Sequence, residues 1–597
     1  MTRKGPELQR LVLETLKTCS DLVGATLGPG GQNVVIEHQE VDLPPVITKD
    51  GVTVFRALGF DNASAHVLME AARDAAIRTA SEAGDGTTTA TILAEAIVRH
   101  TIAYTNKNPH VSPQRVVRVL QDAYAKAILP VMEDVKVKPD LVSEEGRAMC
   151  RSVAKISANG DGPLADAVMK CFDIIGSEGN VTIVEANGPS HYEVQKIEGY
   201  PVTIGYEDSC RMFYPKFIND PATQTCVLER PSFLLYHGTI NDFNTIYPVL
   251  SLIAQHVSDG KSVGEHKLTH NVVIVATGFS ETVLAQLAAG FVMQGTLNVY
   301  PLLAPVSPIK TGQLDFLQDL AAITGGTIMD QINFPFQNFQ IEALGVGVTQ
   351  FEASRFRTNI IGFRDELLIL ERVDRIAKRE QDPTNSELEK RMLRERIAKM
   401  TSGIAKLIVY GSSNGEVKER RDRAEDAVCA VRGALANGAL YGGGYFLKLM
   451  SDEFASWGTE GSAKFSAKYG WSPSFDEMWI IEKVLAPALL EPIKRLFTNA
   501  GYSDEEMLKH TEKLSSGIVF DLLEQKNVKA FENGSYLLDS LPAVRDAIKN
   551  SISIASLLGT CGGTVVFRRD HGLETSEARE TAEFLRNANT NPADERG

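Results

Sequence analysis

The sequence predicts a multidomain α+β protein in which mostly helical end regions bracket an α/β module. Three observations carry that reading. A chain of 597 residues exceeds what one hydrophobic core usually serves, so about two to four domains are expected. Residues 7–25, 62–83 and 87–100 carry apolar side chains at helical spacing, separated by glycine-rich breaks. From about 198 to 350, short β-rich runs alternate with amphipathic ones, the pattern of an α/β unit.

The elements follow in chain order. Leu8, Leu11, Val12, Leu16, Leu22 and Val23 make the first helical stripe, which breaks at "TLGPGGQN". "NVVIEH" and "VTVFRA" read as short strands with Lys49-Asp50-Gly51 as the turn signal between them. An Ala-rich helix over 62–83 is followed by Gly-Asp-Gly and another helix to about His100. Residues 164–176 read as a helix and "GNVTIVEA" as a strand. In the central module, "FLLYHG", "NVVIVAT" and "LNVYPLLA" are strands, and "FNTIYPVLSLIAQHV", "SETVLAQLAAGFVMQG" and "LDFLQDLAAIT" are helices. Residues 365–400 form a charged helical hairpin bent at "QDPTNSE". Helices return at 421–436 and 474–500, whereas 450–475 is expected to be a long loop. The last thirty-odd residues are polar and expected to be disordered.

Composition excludes several classes. Hydrophobic residues make up 43% and charged residues 23%, as in soluble globular proteins. Sixty-one basic against 76 acidic residues give −15, which argues against a general nucleic-acid or anionic-membrane binder. The N-terminal stretch has no apolar core of a secretory signal, and "SISIASLLGTCGGTVVF" is too short and polar to span a bilayer. The seven cysteines are scattered without C-x-x-C, so neither a disulfide framework nor a zinc site is expected, and a reducing cytoplasm fits.

"AGDGTTTATILAEAIV", residues 83–98, is the most informative stretch. Ala90, Leu93, Ala94 and Ile97 form its apolar stripe and place the helix start near Thr87. A helix N-terminus offers unpaired N–H groups and a positive dipole end to anions. Gly84 and Gly86 permit close approach, and Thr87, Thr88 and Thr89 add hydroxyl donors. Asp85 would repel phosphate unless a cation such as Mg²⁺ sits between them. An ordinary helix cap needs one such residue, and here six stand together. The chain has no Walker A sequence and no clean G-x-G-x-x-G.

Further motifs extend the pattern: "TLGPGGQNVV", "ITKDGVTV", "KISANGDGPLADAV", "KFINDPAT", "AAITGGTI", "RAEDAV" and Gly442-Gly443-Gly444. Together and in this order they resemble the group I chaperonins, the GroEL type, over residues 8 to about 570. The resemblance implies a chaperonin fold: a mostly helical equatorial domain (1–137 and 437–597), a small intermediate domain (138–197 and 404–436) and an α/β apical domain (198–403), with a polar tail from about 570. It implies ATP as substrate, with Asp85 holding Mg²⁺ and Gly86, Thr87, Thr88 and Thr89 cradling phosphates beneath a loop of Thr26, Leu27, Gly28 and Pro29. Backbone oxygens of Thr26 and Lys49 match a K⁺ site; Asp426 and Asp50 match the catalytic acids around the attacking water. Gly443 matches a glycine on the ribose and base, and Asp539 the ribose-binding acid. Gly199 and Gly403 match hinges. Client binding is implied at Met212, Phe213, Phe217, Tyr247, Leu250 and Leu284, flanked at helical spacing by Ile253, Leu287, Ala288 and Phe291.

The chain departs from the family at four places. Val519, Phe520 and Asp521 stand near the adenine-side positions; Lys216, Ala288 and Ala289 replace larger apolar residues; residues 450–475 are longer; and the Gly-Gly-Met tail is absent. Divergence of this kind resembles virus-encoded chaperonins, for which the host cytoplasm is the expected location. The expected function is an ATPase chaperone that binds non-native protein and folds it in the cavity of a homo-oligomeric ring, sevenfold, as one ring or two. A co-chaperonin lid is left open, and neither nucleic acid nor membrane is expected as partner. The alternatives are a ring ATPase that remodels one partner and a structural ring without turnover.

Overall fold

Apolar spacing places most helices where the sequence expects them. The computed structural model describes residues 2–566 except 38–44, 84–85, 178, 189–190, 211–213, 221–224, 290–294, 307–311, 356, 364, 383–384, 530 and 533–534. Asp85, Met212, Phe213, Phe291 and the polar tail lie outside the described residues. The chain divides into two compact units, residues 1–165 with 413–597 and residues 166–412.

The first unit is built on long helices. Gly5–Gly24, Ala63–Ala83, Thr87–Lys107 and Leu541–Leu558 pack on one another around Leu16, Leu93, Ile97 and Ile548, all buried. Burying such a stripe stabilises the unit by roughly 1.5–3 kcal/mol per large apolar side chain. Five described two-stranded pairings decorate it, among them Ala439–Tyr441 with Leu538–Ser540 and Ile518–Asp521 with Lys526–Lys529.

Two expectations fail here. "VTVFRA" is helix, not strand: Gly51–Ala57 starts at Asp50, whose carboxylate accepts the N–H groups of Val52 at 3.0 Å and Thr53 at 2.8 Å. The strand Val34–Ile36 pairs instead with Val46–Thr48. Nor is 450–475 one long loop. It contains the end of the helix Tyr445–Phe454 and the helix Ala463–Tyr469, clamped around Trp457, which is 1% exposed and ringed by Phe454, Phe465 and Trp471.

The second unit holds three described sheets of three or more strands. Asn298–Leu303, Asn271–Phe279, Ser232–Ile240 and Ile328–Met329 form a parallel sheet in that order. Helices Phe243–Ser258, Glu281–Leu287 and Gly312–Thr324 connect its strands. An antiparallel sheet orders Gly199–Val202, Thr358–Ile361, Gln350–Ala353 and Cys226–Glu229. The third sets Ile404–Gly411 between Asn180–Asn187 and Tyr192–Ile197. The charged hairpin is Glu366–Glu380 and Glu387–Ser402.

The expected exposed client stripe is core. Phe217, Leu250, Ile253, Leu284, Leu287 and Ala288 are all buried, because spacing of three and four residues lays one helix face on the sheet. Among the client-binding residues assigned from the resemblance and described here, only Tyr247 is exposed, at 51%. Leu367 and Leu370, at 66% and 54%, are exposed apolar residues that the sequence did not single out.

Candidate functional site

One cleft in the first unit collects most of the residues that the resemblance assigns to phosphate and ribose. Leu27, Gly28, Pro29, Gly86, Thr89, Gly443 and Asp539 all line it. The loop after the first helix turns at Gly28, whose φ of +74° favours glycine, and an added Cβ would sit 2.3 Å from Leu496 Cδ2. Asn499 Nδ2 ties the loop down by donating to the carbonyls of Gly24 and Leu27, at 2.9 and 3.0 Å. Thr26 is buried, and its hydroxyl donates to the Val23 carbonyl at 2.8 Å.

The helix Thr87–Lys107 begins at Gly86 in a left-handed turn, and this N-cap glycine has no side chain with which to cap the first turn. Of this helix start, Gly86 and Thr89 reach the cleft lining, so the positive end of the helix faces that end of the cleft. Gly86 has no room for a side chain: a Cβ there would lie 2.9 Å from the Ala543 carbonyl. Across the cleft, the Gly443 N–H donates to Asp539 Oδ2 at 3.0 Å, so the two residues assigned to the ribose meet.

Beyond them the lining is more apolar, with Asn159 and Asp521 among its members. Ile156, Asn159 and Gly160 face Phe520, Asp521, Leu522 and Leu523. Leu523 seats on Gly160, where a Cβ would stand 2.7 Å from its Cδ1, and Lys155 pairs with Glu524 at 3.2 Å. Asp521 Oδ1 accepts the N–H groups of Leu523 and Glu524, which closes the hairpin turn.

Thr26, Lys49, Asp50, Thr87, Thr88 and Asp426 do not line the cleft itself. Some of them stand behind its Gly86–Thr89 end. A Cβ on Gly51 would meet Thr88 Oγ1 at 2.2 Å, so the helix that Asp50 caps abuts the threonine helix. Asp50 also accepts the Thr53 hydroxyl at 2.6 Å, which fixes the carboxylate. Asp426 lies on the helix Asn414–Asn437, which packs against the Val46–Thr48 strand just before Asp50.

One acid was missed. Asp422 sits one turn before Asp426 on the same helix face. Burial, and then the charge of Asp50, push its carboxyl up to about 7. The i,i+4 spacing of Asp422 and Asp426 was the available signal. Among the described residues no cluster of three metal-ligating side chains forms, and no helix is long and apolar enough to cross a membrane.

Gly403 ends the second hairpin helix with φ +76°, and a Cβ there would press on the Ile197 carbonyl at 2.7 Å. Gly199 opens its strand with a Cβ direction blocked by Ile404 and the Ile360 carbonyl. Both positions exclude side chains on packing grounds alone.

Comparisons with known proteins agree with this architecture. The chaperonin gp146 from bacteriophage EL 2 (Pseudomonas aeruginosa), crystallised in presence of ATP-BeFx, is similar in fold. Its crystal form II gives a TM-score of 0.69 at 21% identity over 95% of this chain and 100% of that one. Its crystal form I gives 0.60 at 22% identity over 95% and 99%. The TCP-1/cpn60 chaperonin family model matches residues 19–233 and 253–565, and the chain belongs to that family.

Proposed function

We propose that this chaperonin is an ATP-dependent chaperone whose nucleotide lies in the described cleft, with phosphates at Gly28, Gly86 and Thr89, ribose at Gly443 and Asp539, and base between Gly160 and Leu523. The observation that carries the reading is the meeting of glycine loop, threonine-rich helix N-terminus and Gly443–Asp539 pair in one cleft. A polar, donor-rich end and an apolar end match the two ends of a nucleoside triphosphate.

The sequence supplies groups of suitable chemistry for the expected ions. Asp85 precedes the threonine helix and would hold Mg²⁺; the Thr26 and Lys49 carbonyls would hold K⁺. Mg²⁺, when bound, neutralises charge on the phosphates. The chain's own groups do the rest: the N–H groups and hydroxyls of Thr87–Thr89 orient the triphosphate, and Asp50 and Asp426 orient the attacking water.

The three-domain division, with 138–197 and 404–436 as an intermediate part, belongs to this proposal. So do rotation at Gly199 and Gly403, a sevenfold ring, a cytoplasmic location and a viral source. Exposed Tyr247, with Met212 and Phe213, is the proposed client surface. Burial of Phe217, Leu250 and Leu284 favours a second reading, a ring ATPase with one dedicated partner.

The Asp426→Ala variant tests the core of the proposal. It should keep ATP binding and lose hydrolysis by about 100-fold or more, as expected for loss of a group that acts on the reacting water. Unchanged turnover would remove Asp426 from the mechanism. ATP-dependent recovery of several unrelated clients in a refolding assay would favour the general chaperone; hydrolysis without recovery would favour the dedicated ATPase.

A further inference from the structure

We propose that Tyr445 is a positioning residue for the base end of the nucleotide cleft: its hydroxyl holds the Ile518–Asp521 strand where Phe520–Leu523 can wall that end. The inference rests on the nucleotide reading above. The strand pairs along one edge with Lys526–Lys529, in a two-stranded sheet. In an antiparallel pair, the N–H and C=O of one residue point to the same side. Those of Phe520 point to Tyr445. The Phe520 N–H donates to the Tyr445 hydroxyl at 2.9 Å, and that hydroxyl donates to the Phe520 carbonyl at 3.1 Å. One phenol, which can both give and accept, thus takes the place of a third strand.

The surroundings make this bond pair hard to replace. Tyr445 is 1% exposed and Phe520 6%, so water cannot serve either backbone group freely. Burial pushes the Tyr445 hydroxyl well above its ordinary range, so it stays protonated and able to donate. The Phe520 ring stacks on His510 at a centroid separation of 3.9 Å, with Phe497 and Tyr502 behind it. Apolar packing presses the strand inward; the hydroxyl sets its register along the cleft.

Tyr445 also links the two ends of the nucleotide. It follows Gly443 and Gly444, both at positive φ, +64° and +78°. The turn that delivers the Gly443 N–H to Asp539 therefore delivers the phenol to Phe520. At the far end, Leu523 on Gly160 and the Lys155–Glu524 pair pin the same hairpin to the turn after Glu144–Ser157.

The test uses the full chain carrying Tyr445→Phe, with thermal melting as the check on folding. ATP binding and competition by inorganic tripolyphosphate, which has no base, are measured in parallel with KM and kcat for ATP hydrolysis. ATP should bind about 10-fold more weakly and KM should rise about as much, from two hydrogen bonds lost at the base wall. Tripolyphosphate affinity and kcat should stay within about twofold of wild type. Equal weakening of ATP and tripolyphosphate would mark a general structural role and overturn the proposal, as would unchanged ATP affinity. If Tyr445→Phe does not fold, Leu523→Ala decides, because it trims an exposed residue of the same wall. Selective loss of ATP over tripolyphosphate supports the wall, and no selectivity overturns it. A wild-type chain that binds neither ligand would sink the nucleotide reading itself, a result separable from a variant that merely matches wild type.

Discussion

Asp319→Asn is the substitution whose cost the structure specifies most closely. Asp319 is fully buried on the helix Gly312–Thr324, one turn after the buried Asp315. Its carboxylate accepts Arg372 Nε at 2.8 Å, Arg396 Nε at 2.9 Å and Arg396 Nη2 at 2.7 Å. Asp315 holds Arg379 at 2.9 Å. Three guanidinium groups thus face two carboxylates, and the variant would leave three against one. The Arg372 and Arg396 side chains are only 13% and 18% exposed, so water cannot make good the loss. Removing one partner from a buried pair costs about 3–5 kcal/mol. Asn keeps one acceptor oxygen, so about 3 kcal/mol is expected, with little dependence on salt. The exposed pair Lys378–Asp374, at 73% and 59%, is the control: Asp374→Asn should cost under about 1 kcal/mol. Hydrogen exchange across 312–324, 366–380 and 387–402 in the full chain measures the opening free energy where it matters. A loss below about 1 kcal/mol for Asp319→Asn would refute the claim that this cluster ties the charged hairpin to the helix.

Two further outcomes follow from the first unit. The folded form keeps a proton on Asp422 up to about pH 7, which an unfolded carboxyl gives up near pH 4. Stability from this group is full below about pH 4 and lost as pH rises through about 7, so Asp422→Asn should flatten that slope and gain about 2 kcal/mol at pH 8, allowing for partial exposure; parallel wild-type and variant melting curves over pH 5–8 would contradict it. Trp457→Ala should cost about 3–5 kcal/mol in the unfolding of the helices around it, read by denaturant melts with hydrogen exchange over 445–485. A cost under about 1 kcal/mol would mean that the aromatic cluster is not a packed core.

What the sequence made legible was whatever depends on backbone geometry. Gly28, Gly86 and Gly443 sit at positive φ, and a residue that only glycine tolerates announces itself in any alphabet of patterns. The threonine helix starts at Thr87 as its apolar stripe required. "VTVFRA" was misread because V-T-V-F alternates like a strand; the decisive fact was the Asp50 cap, and the buried neighbours Val54 and Phe55 fit a helix against a core, not a half-exposed strand. The helices within 450–475 escaped because Trp457 packs from a turn, by size and not by period. Stripes at Leu250 and Leu284 carried the right spacing and the wrong inference, since spacing reports a buried face and says nothing of a free one. Asp422 was hidden because its partner Asp50 lies more than three hundred residues away.

The two ends of the cleft illustrate why one half of a site can be read and the other cannot. At the proposed phosphate end, recognition would be by backbone N–H groups, so the sequence must supply glycines and small hydroxyl residues in fixed order around a helix start. Few substitutions survive there: a Cβ at Gly28, Gly51 or Gly86 would sit within 2.9 Å of a neighbouring atom. At the other end the wall is a hairpin edge, and any residues that hold the edge will serve. Here the holder is the phenol of Tyr445, seventy-five residues from the strand it fixes. That freedom lets Val519, Phe520 and Asp521 stand where the family pattern has other residues without loss of a wall. On the proposed nucleotide reading, it also moves the control of base affinity off the strand and onto Tyr445. Substitutions along the strand should then matter less than loss of one hydroxyl beneath it.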